Sequence, residues 1–138
     1  MREIFCDGAS RGNPGKAAWA FAIPQPDTLL CICNCGNLGI TTNNEAEYWA
    51  VIHALNYAGV MDFKEVKIIS DSQLVIRQLN GEYATNEPRM KLLHDKVNST
   101  IAANGSLNVV QFEWRERTDP ILKHADKLCN IVLDVVLK

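Results

Sequence analysis

Four acids sit where a carboxylate is either out of place or at the end of an element. Asp7 closes a strand-like run that begins at Arg2, and Asp71 follows the β-rich run 65–70 directly before a helical segment. Ligand sites in open sheets gather at strand ends where connections diverge. The third acid is a choice between Glu45 and Glu47. At about 3.6 residues per turn, Glu47 shares a helical face with Val51, Ala54 and Ala58, whereas Glu45 points towards the side of Trp49 and Ile52. Glu47 is therefore expected in the sheet-facing stripe and Glu45 outside it. In the last helical segment Asp126 shares a face with Leu122, Cys129, Leu133 and Leu137, while Asp134 lies beside that stripe and is expected in solvent. A carboxylate on an apolar face is costly unless it is paired or holds a cation. No matching set of inward Lys or Arg is visible, so divalent cations are the natural compensation. An all-oxygen donor set suits Mg2+ or Mn2+.

Each acid also has an ordinary explanation. Asp71, within Ser70-Asp71-Ser72, is placed to cap the following helix. Asp7 before Gly8 fits a turn. Glu47 fits the first turn of a helix, where the dipole favours an acid. Asp126 has Arg117 and Lys123 as possible ion-pair partners. These alternatives stand one by one; all of them together are less economical than a shared site.

The elements that must position these acids follow from periodicity. Residues 2–8, 17–23 and 29–36 read as three strands in an antiparallel meander, with a turn-rich loop from Gly8 to Gly15. A helix over 43–58, a strand over 65–70, a helix over 72–79 and another over 87–103 follow, the last with Pro88 in its first turn. A strand over 107–114, a loop, and a helix from about 121 to 137 complete the chain. Three meander strands extended by helical crossovers predict an α/β fold: a mixed five-stranded sheet with helices on both faces. The 138 residues suit one domain, 1–138.

With 47% apolar residues the chain can bury a core, and it holds no apolar run long enough for a membrane span or a secretory leader, so a cytoplasmic protein is expected. The formal net charge of −2 counts against binding nucleic acid by bulk attraction. Cys31, Cys33 and Cys35 alternate and would share one face of a strand, where they read as small apolar fillers and not as a metal cluster. Trp49 lies off the core stripe and fits either packing under a loop or a partner surface.

The same residues resemble a known family. Asp7-Gly8-Ala9-Ser10-Arg11-Gly12-Asn13-Pro14-Gly15 is similar to the first motif of type 1 ribonucleases H. Thr41-Thr42-Asn43-Asn44-Glu45-Ala46-Glu47 is similar to the second, in which the later acid is the catalytic one. Ser70-Asp71-Ser72-Gln73-Leu74-Val75 resembles the third and Ala125-Asp126-Lys127-Leu128-Cys129-Asn130 the fourth. The resemblance implies an endonuclease that hydrolyses the RNA strand of RNA–DNA hybrids. Asp7, Glu47, Asp71 and Asp126 would bind two Mg2+ ions, with Mn2+ as a substitute, and the products would carry a 5′-phosphate and a 3′-hydroxyl. It also implies hybrid contacts by Asn13, Thr42, Asn43, Asn44 and Gln73, whose short polar side chains suit 2′-hydroxyl and phosphate groups. Turn and cap chemistry explains the same side chains. Many relatives carry a His in the loop before the last acid; here Arg117 takes that place, with His124 as the alternative. The chain resembles the small form of the family, without a hybrid-binding domain or a basic protrusion. Arg77, Arg89, Lys91 and Lys96 offer at most a weak basic stripe. No obligate protein partner is expected, and a monomer is the expected working unit.

Overall fold

The computed structural model describes residues 1–136. Strands β1 (Arg2–Gly12), β2 (Gly15–Pro24) and β3 (Cys31–Thr41) come first. Helix α1 (Asn43–Val60), strand β4 (Glu65–Ser70), and helices α2 (Gln73–Leu79) and α3 (Pro88–Ala103) follow. Strand β5 (Val109–Trp114) leads to helix α4 (Pro120–Ile131), which runs on as a π-helical turn, Val132–Val136. The strands form one sheet in the order β3-β2-β1-β4-β5. Pairing is antiparallel between β1, β2 and β3, and parallel from β1 to β4 and from β4 to β5. The expected mixed sheet is present, and the end of the last helix expected at Leu137 lies outside the described residues.

Alternation along the strands divides the core in two. Ile4, Cys6, Trp19, Phe21, Ile23, Val66 and Ile68 face α1 and α3, where Val51, Ile52, Leu55 and Val97 meet them. Ala18 and Ala20 face α4, against Ala125, Cys129 and Leu133. Phe5, Ile69 and Leu122 form a smaller cluster on that second face.

Three local expectations change, each for a packing reason. The segment after Gly8 is strand through Gly12, because Ala9 and Ser10 pair with Ala18 and Ala17 and the turn tightens to Asn13-Pro14. These small residues carry little β signal of their own, and cross-strand pairing decides. Likewise, β3 continues past Gly36 to Thr41. Gly36 makes room for Trp19, since a Cβ there would lie 2.7 Å from the indole Nε1. Glu45 is as fully covered as Glu47, at 4% exposure each, though it lies just beneath the surface under Arg89. Helix α1 is covered by the sheet on one side and by α3 on the other, so the face carrying Trp49 and Ile52 is interior as well.

The five cysteines are free. Cys6 and Cys129 are buried fillers, and Cys35 packs on the α4 side of the sheet. Cys33 is exposed, which the filler reading did not anticipate; it lies on the edge strand β3, which pairs with β2. Trp49 packs beside His53, with rings 6.1 Å apart, under the ammonium of Lys96.

Candidate metal centre

Strand register brings the first two acids together. Phe5 of β1 pairs with Ile69 of β4 in parallel, and the same register carried on two residues sets Asp7 level with Asp71. Beyond Phe5, β1 keeps β2 as a partner but loses β4, which ends at Ser70. The two carboxylates therefore stand where neighbouring strands part. Asp71 does not cap α2. Ser72 does that, accepting from the Val75 amide at 3.3 Å, and this leaves the Asp71 carboxylate free for the site.

Glu47 arrives through the start of α1. Thr42 caps the helix and forms a reciprocal pair with Glu45, whose amide it accepts at 3.2 Å. The first turn then drops onto β1 at Gly8. A Cβ at Gly8 would lie 2.2 Å from the carbonyl carbon of Ala46, so only glycine admits this approach. The Gly8 amide donates to Glu47 Oε1 in a short hydrogen bond. Carboxylate oxygens of Asp7, Glu47 and Asp71 all lie within 4.8 Å of one another.

Asp126 joins from α4, but not as the periodicity implied. The buried stripe of that helix is Leu122, Ala125 and Cys129, and Asp126 lies beside it, exposed. Ala125 takes the inward position, packed with Cys129 against the alanines of β2. Asp126 still borders the site, lining a recess of about 310 Å³ together with Asp71, Arg117, Leu122 and Lys123. Its side chain accepts from Asn130 at 3.5 Å, and no ion pair to Arg117 or Lys123 forms among the described residues.

Electrostatics mark the cluster as incomplete. Asp7 is 6% exposed, and its Oδ2 has no hydrogen-bond partner. Burial, then the charges of Asp71 and Asp126, push its pKa up to about 8. Burial also raises Glu47 well above the usual carboxylate range; Asp7 and Asp71 add to this, and the Gly8 amide opposes it. Asp71 is raised by burial, with Arg117 opposing and Asp126 reinforcing. Glu45 goes the other way. Burial pushes it up, but hydrogen bonds from Thr41 and Thr42 and the Arg89 guanidinium, 2.6 Å away, hold it below the usual value. One glutamate of the pair is thus satisfied, and the other belongs to an unbalanced acidic cluster. Buried, all-oxygen and with one oxygen unpartnered, this donor set fits a hard divalent cation.

The other expected residues surround the cluster. Asn43, Glu47, Asp71, Ser72, Trp114 and Arg117 line an open cleft of about 510 Å³. Asn13 Oδ1 accepts from the Asn43 amide at 3.1 Å, tying the β1–β2 turn to the start of α1. Asn44 and Gln73 are exposed, on the first turns of α1 and α2. Arg117, 82% exposed, sets its Nε 3.7 Å from Asp71 Oδ2. His124 is exposed on α4. Two contributions were not foreseen: Gly8, whose Cβ-free face is invisible without the helix above it, and Trp114, whose indole donates to the Asp71 carbonyl at 3.1 Å. The position of Trp114 at the end of its strand, level with Ser70, was the available signal.

Comparison with known proteins is consistent with this geometry. A profile of the family described as "Reverse transcriptase-like" matches residues 5–132. Over 125 residues, 89% of this chain, it is 34% identical to "Ribonuclease HI" of Halobacterium salinarum. The chain belongs to the type 1 ribonuclease H family. It spans 63% of the length of that relative, and 35% of "Bifunctional protein Rv2228c" of Mycobacterium tuberculosis, to which it is 30% identical over 132 residues. Among solved ribonucleases H1, the Halobacterium salinarum crystal structure superposes with a TM-score of 0.87 at 32% identity, covering 96% of this chain and 97% of that one. LC11-RNase H1 in complex with an RNA/DNA hybrid superposes with a TM-score of 0.90 at 30% identity, covering 100% of both.

Proposed function

We propose that this protein is a ribonuclease H, hydrolysing the RNA strand of RNA–DNA hybrids in the cytoplasm with a single chain as the working unit. The observation that carries the reading is the convergence of Asp7, Glu47 and Asp71 oxygens within 4.8 Å around an unpartnered Asp7 Oδ2. The hybrid bound by LC11-RNase H1 supports the choice of substrate.

Asp7, Glu47, Asp71 and Asp126 would hold two divalent cations, Mg2+ or Mn2+. Asp7, with a carboxylate oxygen within 4.8 Å of those of Glu47 and Asp71, would be a central ligand of this set. Bound there, the cations would lower the pKa of the attacking water and offset charge on the leaving 3′ oxygen, so that the products carry 5′-phosphate and 3′-hydroxyl ends. The remaining work is positioning by the chain itself. Asn43 and Asn44 at the start of α1, Asn13 beside them, Thr42 and Gln73 hold the minor-groove sugars and phosphates against the cluster. Arg117 places an exposed positive charge over Asp71, where a scissile phosphate would lie.

The test uses one labelled strand presented as RNA–DNA hybrid, duplex RNA and single-stranded RNA, each with Mg2+, Mn2+ or chelator. Metal-dependent cleavage confined to the RNA of the hybrid is expected. Equal cleavage of single-stranded RNA, or cleavage in chelator, would reject the reading.

A further inference from the structure

The loop 115–119 between β5 and α4 carries Arg117, whose side chain has one ion-pair contact and is otherwise in solvent. Its reach to Asp71 depends on where the loop backbone is held. Two residues earlier, Arg115 meets three carboxylates. Its Nε donates to Glu113 of β5 at 2.6 Å and its Nη2 to Glu3 of β1 at 3.0 Å. Its Nη1 lies 3.7 Å from Asp119 Oδ2. Asp119 is the cap of α4, accepting from the amides of Ile121 and Leu122 at 2.8 and 3.2 Å. The guanidinium lies 5.3 Å from the centre of the Phe5 ring, over the small core cluster beneath the site. The Arg115 amide donates to the Ser70 carbonyl at 3.0 Å, one residue before Asp71.

We infer that Arg115 is a positioning residue: by joining β1, β5 and the α4 cap, it fixes the loop that delivers Arg117 to Asp71. The inference rests on the ribonuclease H reading of the site. A planar fork with five donors can satisfy three carboxylates and a ring at once, and a lysine cannot. The arrangement is asymmetric in purpose. Arg115, one-third exposed, is held along the surface by carboxylates, while Arg117 extends into solvent where it can meet a phosphate.

The experiment measures kcat and KM for hybrid cleavage, with thermal melts, for wild type, R115A, R115K, R117A and the R115A/R117A double variant. If the loop is misplaced but the hybrid still binds, R115A lowers kcat about tenfold and leaves KM within about twofold. R115K does not restore the rate. In the R117A background the R115A loss disappears, because the two residues act on one feature. If R115A does not fold, Glu3→Gln takes its place in the same cycle and shows a smaller loss, again absent beside R117A. An equal loss with and without Arg117, an unchanged kcat in R115A, or an R117A protein as fast as wild type would each overturn the inference. A wild type that cleaves no hybrid rejects the ribonuclease reading and this inference with it; a wild type that cleaves, with R115A equally fast, rejects the inference alone.

Discussion

Asp7 Oδ2 is the buried side-chain oxygen left without a hydrogen-bond partner among the described residues. The Asp7 carboxyl is buried among acids, and its folded pKa of about 8 lies above the ordinary aspartate value of 3.8. A group raised on folding contributes stability that is present in full below its unfolded pKa and is lost as pH rises through the folded one. In chelator, Asp7 therefore works against the fold increasingly between about pH 4 and pH 8. Asp7→Asn is expected to abolish metal-dependent cleavage and yet melt no lower than wild type. Its advantage in chelator should widen from pH 5 to pH 8; a gap that does not change with pH would contradict the electrostatic account. The two glutamates of α1 separate by the same logic. Glu45→Gln removes the charge that Arg89, Thr41 and Thr42 serve, and should cost about 1.5–3 kcal/mol in denaturant unfolding with cleavage retained. Glu47→Gln removes a carboxylate from the crowded cluster, and should lose cleavage without comparable destabilisation.

Elements bring these residues together by close approach as much as by direction. The first turn of α1 rests on β1 only because Gly8 lacks a Cβ, and the alanines at 46, 50, 54 and 58 keep the rest of the helix near the sheet. Gly8→Ala should cost about 3 kcal/mol in unfolding experiments, since a methyl group against backbone forces the helix away. It should also slow cleavage by displacing Glu47. A variant with wild-type stability and rate would show that this contact is not what sets the helix. The limits of β4 and the start of α1 were legible from periodicity, while the reciprocal Thr42–Glu45 cap emerged only in the structure. The extension of β1 and β3 was not legible either. Glycines and small polar residues look like turns in one dimension, and cross-strand pairing or a neighbouring indole decides otherwise.

For the whole molecule, the net charge of −2 and an acidic centre leave little bulk attraction for a polyanion. The expected basic stripe is partly spent within the fold: Arg89 pairs with Glu45, Arg77 contacts Tyr83 and Lys96 covers Trp49. On the proposed reading, cations held by the folded chain would supply much of the attraction. Mg2+ or Mn2+ at a hundredfold excess over Kd should stabilise the protein by about 2.7 kcal/mol, read as a rise in melting temperature. Asp7→Asn should show a smaller rise, and no shift in wild type at millimolar metal would argue against the centre. By itself the sequence determined the class of fold and which acids are candidates, because hydrophobic periodicity and local capping are properties of neighbours along the chain. It also favoured Glu47 over Glu45 for the site, though not how fully Glu45 is covered. Tertiary structure alone decided that Asp7 and Asp71 stand level, that Asp126 lies beside its buried stripe and not within it, and that Arg115 joins Glu3, Glu113 and Asp119. Those facts depend on strand register and on the distance between packed backbones, which residues far apart in the chain set jointly.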